Sequence, residues 1–276
     1  MKKLTIIGVG LIGGAIALDV KKNKLADEVV GVVRRAESID ECKRLGVVDK
    51  ATLSVNEGVK DADFIVLATS ISIMPKIAEE ILKNIKKDTV VIDVASVKGD
   101  LVKKLEGILG NHYVGTHPMA GSEKRGVSAA REDLYKKATC IITPTSKTEP
   151  KALKVVMEFW TRLGARIMVL TPDKHDRVVS LISHLPHITA ACLVNSIAGE
   201  EEAISCVGPG FKDSTRIASS PPELWQEICE WNKDQILQSI VKHQRELEDV
   251  RVHIERSNWD MLLQKLKNAK EIRDKM

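Results

Sequence analysis

The chain has 276 residues, 43% hydrophobic and 29% charged, so it exceeds the ~100–200 residues of one ordinary domain and predicts two. Lys and Arg outnumber Asp and Glu by only 42 to 38, and no basic run carries interleaved aromatics, which argues against nucleic acid as a partner. No stretch of ~20 uncharged apolar residues is present, which argues against a membrane partner.

The first predicted strand is LTIIGV. Lys2 and Lys3 ahead of it imitate the start of a secretory leader, but Gly8, Gly10, Gly13 and Gly14 would break a leader helix and suit a strand–turn–helix. GVGLIG then satisfies G-x-G-x-x-G. Because an apolar strand precedes it and a helical pattern follows, the match predicts a dinucleotide loop. Gly8 is expected to make the tight turn, Gly10 to let the backbone approach the pyrophosphate, and Gly13 to let helix and strand pack closely. Leu11 and Ile12, at the start of that helix, join the expected cofactor contacts. The free N–H groups there would face the phosphates.

The second strand, EVVGVV, ends near Val33 without the carboxylate that usually holds an NAD ribose, and Arg34 and Arg35 follow. Paired guanidiniums suit a 2′-phosphate, so NADP is the preferred cofactor, with NAD possible through Glu37. Further predicted strands are DFIVLAT, TVVIDVA, HYVGTH, TCIITP and RIMVLT, with Thr69 closing the first of these as another cofactor contact. They are mostly apolar throughout, as strands covered on both faces should be. Helical patterns such as MPKIAEEILKNI and EPKALKVVMEFWTRLG separate them. The prediction is an α/β fold: a Rossmann domain over residues 1–170, with a doubly wound, mainly parallel sheet.

After Thr171-Pro172-Asp173 helical patterns take over, predicting an all-α domain over residues 171–276, interrupted by one loop, VGPGFKDSTRIASSPP. In the tail, Ile240, Leu247, Ile254 and Met261 recur every seven residues, with Ile236, His243, Val250 and Ser257 in the alternate seam. A stripe of this kind must be covered, by its own domain or by a second subunit. Five scattered cysteines without a CxxC pair favour a reducing cytoplasm over a disulfide framework or zinc ribbon. His184 and His187 have metal-ligand spacing, but no clustered partners accompany them, so no metal is expected.

Four segments beyond the glycine loop carry candidate chemistry: VASVKG, HPMAGSEKRG, SHLPH and GFKDSTRIASSPPELW. Singly, each has a bland explanation: Ser96 and Ser122 as helix caps, His117 as a buried structural histidine, Arg216 paired with Asp213. Together with GVGLIG, and in this order, they resemble the prephenate and arogenate dehydrogenases of tyrosine biosynthesis. The resemblance runs from about Leu4 to Arg245, and HPMAGSEKRG and SHLPH are its most specific parts.

That resemblance implies a Rossmann domain, a helical domain that forms a homodimer, and a substrate site between them. It implies oxidative decarboxylation of prephenate with hydride passing to the nicotinamide. His117 would accept the 4-hydroxyl proton and Ser96 would orient that hydroxyl and the cofactor. Arg216 would grip a substrate carboxylate, while Ser122, Glu123 and His187 would line the pocket, with His184, Lys212 and Trp225 behind them. No chorismate mutase segment or regulatory domain is expected. Whether prephenate or arogenate is the substrate stays open, as does inhibition by tyrosine. The competing readings are a 3-hydroxyacid or 6-phosphogluconate-type dehydrogenase, which would not need HPMAGSEKRG, and a non-catalytic dinucleotide sensor, which would not need Ser96, His117 and Arg216 together.

Overall fold

Apolar, β-branched runs with no polar alternation become strands buried on both faces, as in Phe64–Leu67, where every residue is buried. The computed structural model describes residues 1–276 except Glu123 and Arg125. Its strands are β1 (Lys3–Ile7), β2 (Glu28–Val32), β3 (Lys50–Thr52), β4 (Phe64–Leu67), β5 (Val90–Asp93), β6 (Tyr113–Pro118), β7 (Thr139–Thr143) and β8 (Arg166–Val169). They form one sheet in the order β3-β2-β1-β4-β5-β6-β7-β8. All neighbours are parallel except β6 and β7. The mainly parallel Rossmann sheet is therefore as expected. The β3 strand was not anticipated, because three residues, KAT, carry no apolar run. The β8 strand departs from the expected double burial: it lies at the sheet edge with Met168 and Val169 exposed.

Successive residues of a strand face opposite sides. Phe64 and Val66 enter one core with Ile6, Phe159 and Trp160, and the Phe64 and Phe159 rings stack at 4.5 Å. Ile65 and Leu67 enter the other, which Ile228 and Ile236 of the C-terminal helices complete. The helical region thus closes on one face of the sheet.

The last strand ends at Val169, and a single helical rod follows from Pro172 to Asn195. By length and composition alone this rod could cross a membrane. Yet His175, Asp176, Ser180, His184 and His187 along it are all buried within the chain. The rod is α-helical to Val179, π-helical over Ser180–His184 and α-helical again from Leu185. Within the π turn the Leu185 N–H donates to the Ser180 carbonyl, five residues back. Pro186 explains the widened turn, since it has no N–H and its ring would strike a carbonyl four residues back.

Two expectations for this region are corrected. The segment read as a loop is largely helical, with a helix over Pro209–Thr215 and a 3-10 turn over Arg216–Ser219, followed by a helix over Pro222–Trp231. Its prolines sit in first turns, where a missing N–H does no harm, so they start helices instead of marking a loop. The seven-residue stripe does not run along one helix. Ser257 takes a left-handed φ of 54°, ending the helix Lys233–Glu255 before a second helix, Trp259–Arg273. The second helix folds back, and Lys265 pairs with Glu246 and Asp249 at 2.7 Å each. Ile236 is buried, but Leu247, Ile254 and Met261 are at least half exposed in the single chain.

Candidate active site

In open parallel sheets, ligands meet the carboxyl ends of the strands. Beyond β1, Gly8 adopts φ +98°, and a Cβ there would lie 2.4 Å from the Ala68 carbonyl oxygen. A Cβ on Gly13 would lie 2.3 Å from the Gly8 carbonyl oxygen and 2.9 Å from Ile6 Cγ2. These two glycines are required by the fold itself. Gly10 is different: a Cβ there would meet nothing within 4 Å. It precedes the helix Leu11–Lys22 with no side-chain cap, so the first-turn N–H groups face that open space. The cradle fits a pyrophosphate.

Leu11 and Ile12 are half-buried in the first turn, and the Ile12 carbonyl accepts the Tyr135 hydroxyl at 2.7 Å. Thr69, after β4, lies against Gly8. The helix Pro222–Trp231 reaches this edge through Glu227, which accepts the Ile71 N–H at 3.0 Å. Arg34 and Arg35 are exposed just past β2, the latter immediately before the helix Ala36–Arg44.

The Ser96 loop rests on a buried ion pair. Asp93 closes β5, and its carboxylate accepts the Ala95 N–H at 2.8 Å, Lys98 Nζ at 2.7 Å and the Tyr113 hydroxyl at 2.6 Å. Lys98 Nζ also donates to the Ala95 and Val97 carbonyls at 2.7 and 3.1 Å. One ammonium therefore pins the carbonyls on both sides of Ser96. Both charges are fully buried and hydrogen-bonded, the condition under which burial of an ion pair is tolerable. Burial first, and the Asp93 charge second, hold the Tyr113 phenol well above its usual pKa, so it stays a donor.

His117 lies near the end of β6, opposite Ile141 of β7, and is 6% exposed. Its Nδ1 is 2.8 Å from His175 Nε2, and His175 Nδ1 is 2.8 Å from Asp176 Oδ1. Asp176 also accepts the Lys98 N–H on Oδ1 and the Gly99 N–H on Oδ2, each at 2.7 Å, where the helix Gly99–Leu109 begins. Asn232 donates to the Asp176 carbonyl at 3.0 Å and lies 3.2 Å from His184 Nδ1. His187 stacks on Trp225 with centroids 3.5 Å apart and planes 7° apart. Its buried Nδ1 has no hydrogen-bond partner among the described residues.

Burial dominates the electrostatics. Together with the neighbouring His175, Lys98 and His184 it holds His117 well below the usual imidazole pKa. Burial and Lys98 push His175 down to about 2. His184 falls to about 4, against the opposing pull of Asp176 and the Ser96 backbone. Burial pushes Asp176 up, opposed by the Gly99 and Lys98 N–H groups and the Lys98 charge. At neutral pH the three imidazoles are uncharged. His117, with Nδ1 committed inward, can offer a ligand only Nε2.

The geometry unites the Ser96 loop with His117 and His184, while His187 packs on Trp225 beside His184. Ser122 and Arg216 are both exposed, and Glu123 lies outside the described residues. Asp93, Lys98, His175, Asp176 and Asn232 were not singled out as candidates by sequence. Two charged residues closing the apolar run VVIDVASVK were the available signal for the first pair.

Comparison with known proteins matches two segments of the chain. Residues 16–169 match the family model for the nucleotide-binding domain of prephenate dehydrogenase, and residues 171–268 match that for its dimerization domain. The chain is 37% identical to a prephenate dehydrogenase of Bacillus subtilis, over 98% of this chain and 75% of that protein. It is 31% identical to a cyclohexadienyl dehydrogenase of Zymomonas mobilis, over 99% and 95%. The fold superposes on prephenate dehydrogenase from Aquifex aeolicus, solved with hydroxyphenyl propionate and NAD+, at a TM-score of 0.95 and 34% identity, over 100% and 98% of the two chains. For Synechocystis arogenate dehydrogenase the values are 0.86 and 29%, over 99% of each.

Proposed function

The chain belongs to the prephenate dehydrogenase family, and on that premise we propose that it converts prephenate to 4-hydroxyphenylpyruvate by oxidative decarboxylation, with His117 taking the ring hydroxyl proton. The observation that carries this assignment is a buried, neutral histidine at the end of β6, set beside the Ser96 loop.

Prephenate bears a hydroxyl on C4 of a cyclohexadiene and a carboxylate on the opposite ring carbon. Nicotinamide, when bound, supplies the acceptor for the hydride that leaves C4. His117 Nε2 accepts the hydroxyl proton as carbonyl character develops at C4. The C–carboxylate bond breaks with its electron pair entering the ring, CO2 leaves, and the proton returns from Nε2 to the phenol oxygen. Aromatisation drives the step, so positioning is the main task of the protein. Ser96, whose flanking carbonyls Lys98 pins, orients the hydroxyl. Arg216 holds a carboxylate by its planar fork, and Ser122, Glu123 and His187 complete the pocket. Gly8, Gly10, Leu11, Ile12, Gly13 and Thr69 hold the dinucleotide.

The pair Arg34 and Arg35 favours NADP over NAD, since both stand exposed at the end of β2, where the ribose 2′ position falls in such folds. The Aquifex relative carries NAD+, so NAD is the alternative. Arogenate is the second substrate reading, favoured by the similarity to the Synechocystis enzyme. A homodimer is supported by the match to a dimerization domain and by the exposed Leu181, Ile182, Leu237 and Val241 on the two long helical rods. The unpaired cysteines fit the cytoplasm.

A four-way assay of prephenate and arogenate with NADP and NAD tests the proposal. The highest kcat/KM is expected for prephenate with NADP. Equal or better use of NAD would overturn the cofactor assignment, and turnover of neither substrate would overturn the function.

A further inference from the structure

We propose that His175 and Asp176 are positioning residues that lock His117 as its Nδ1–H tautomer, so that Nε2 always faces the ligand as an acceptor. The role rests on reading His117 as the proton acceptor, but the tautomer is a property of the chain alone.

A neutral imidazole has one N–H and one lone pair. Two imidazoles in series, joined Nδ1 to Nε2, can therefore point their hydrogen bonds in only two consistent directions, and the group at the far end selects between them. That group is Asp176. Its two oxygens accept the Lys98 and Gly99 N–H groups at 2.7 Å, at the start of the helix Gly99–Leu109. Backbone donors at a helix N-terminus favour the carboxylate anion. Burial pushes the Asp176 carboxyl up, and the two N–H donors together with the buried Lys98 ammonium of the same loop oppose that rise.

An anion can only accept, so the proton between Asp176 and His175 must sit on His175 Nδ1. His175 Nε2 then carries the lone pair, and across 2.8 Å it must receive the His117 Nδ1–H. His117 Nε2 is left bare. The opposite polarity would place a proton on a carboxylate already held by two N–H donors, and would turn Nε2 of His117 into a donor unable to take a hydroxyl proton.

The charged and titratable groups that face this chain are Lys98 and Asp93 from the Ser96 loop, His184 from the π turn and Cys140 from β7. Burial holds the Cys140 thiol far above its usual range, so it stays neutral. None of them competes for His117 Nδ1, which is already committed to His175. When His117 takes a proton, the His175 lone pair and the Asp176 anion stabilise the transient imidazolium from behind. The same carboxylate caps the helix that follows Ser96, so one side chain sets both the acceptor and the serine loop.

The test is the two-bond 15N–1H spectrum of the full chain without substrate, with the His117 signals assigned by their loss in His117→Asn. Wild type should show Nδ1 protonated and Nε2 bare. In His175→Phe, which keeps a planar ring and removes the acceptor, His117 should move to the Nε2–H form. Its kcat for prephenate should fall on the order of 100-fold, with KM within about threefold. His175→Gln, whose amide oxygen can stand in for Nε2, should keep the Nδ1–H signal and recover at least about tenfold of that kcat. A wild-type His117 protonated on Nε2 overturns the proposal, as does a wild-type kcat in His175→Phe. Should His175→Phe fail to fold, the wild-type spectrum decides alone. The expected tautomer in a chain that does not turn over prephenate would uphold the relay and overturn the substrate assignment.

Discussion

Gly10 and Gly13 stand three residues apart in one motif, yet the space around them differs entirely, and this separates folding from binding. A methyl group on Gly13 would press into the Gly8 carbonyl oxygen at 2.3 Å and Ile6 Cγ2 at 2.9 Å. Overpacking of this kind destabilises by about 1–3 kcal/mol. A methyl group on Gly10 meets no protein atom within 4 Å. Gly13→Ala should therefore lower the melting temperature of the free chain, whereas Gly10→Ala should leave it unchanged and weaken dinucleotide binding. Thermal melts and cofactor titrations of both variants check this. Equal melting losses would mean that Gly10 is structural as well. At this scale, the segments bearing Ser96, His117, His184 and His187 were legible as polar interruptions in apolar patterns. His175 and Asp176 were not, because TPDKHD reads as an ordinary helix start, with Thr171 as N-cap and Pro172 in the first turn. Only the packing of that turn against β6 and the Ser96 loop makes them part of the site.

The helical rod Pro172–Asn195 carries the His175–Asp176 pair on one side of its π turn and His187 on the other. Their relative rotation depends on that turn. Pro186→Ala restores an N–H and removes the ring clash, so the turn can tighten to α geometry. The expected outcome is a melting temperature equal to or above wild type, with kcat/KM for prephenate lowered by about tenfold through misalignment. Lost stability with intact kinetics would show that the π turn does not set the alignment. Among elements, six of the eight strands were legible because buried strands are continuous apolar runs, and β8 was legible from the apolar run RIMVLT although it lies exposed at the sheet edge. The β3 strand was not, since an edge strand needs no apolar face. The helices over 209–231 were hidden by glycine and proline, which ordinarily mark loops. The break at Ser257 was hidden because a serine carries no sign of the left-handed φ that its neighbours impose.

Over the whole molecule, four histidines sit buried: His117, His175 and His184 at the junction of sheet and helices, and His187 against Trp225, with burial lowering its pKa as well. His184 titrates at about 4 and His175 at about 2, while His117 is held well below its usual value. In the unfolded chain each would titrate near ~6.5. The unfolded state then binds protons that the native state refuses, so stability is greatest above about pH 6.5 and falls as pH drops toward the native values. Denaturation between pH 7 and 5 should show proton uptake on unfolding that rises toward about three from His117, His175 and His184, with His187 adding to it, before most carboxylates titrate. Stability that stays flat across this range would contradict the neutral cluster. The role of His117 is tested by kcat for prephenate in His117→Asn beside wild type, with dinucleotide affinity measured on the same preparations. A fall of at least about 100-fold with affinity unchanged is expected, because the variant keeps the glycine cradle and loses the acceptor. A near-normal kcat would contradict the assignment of His117 as the group that takes the hydroxyl proton.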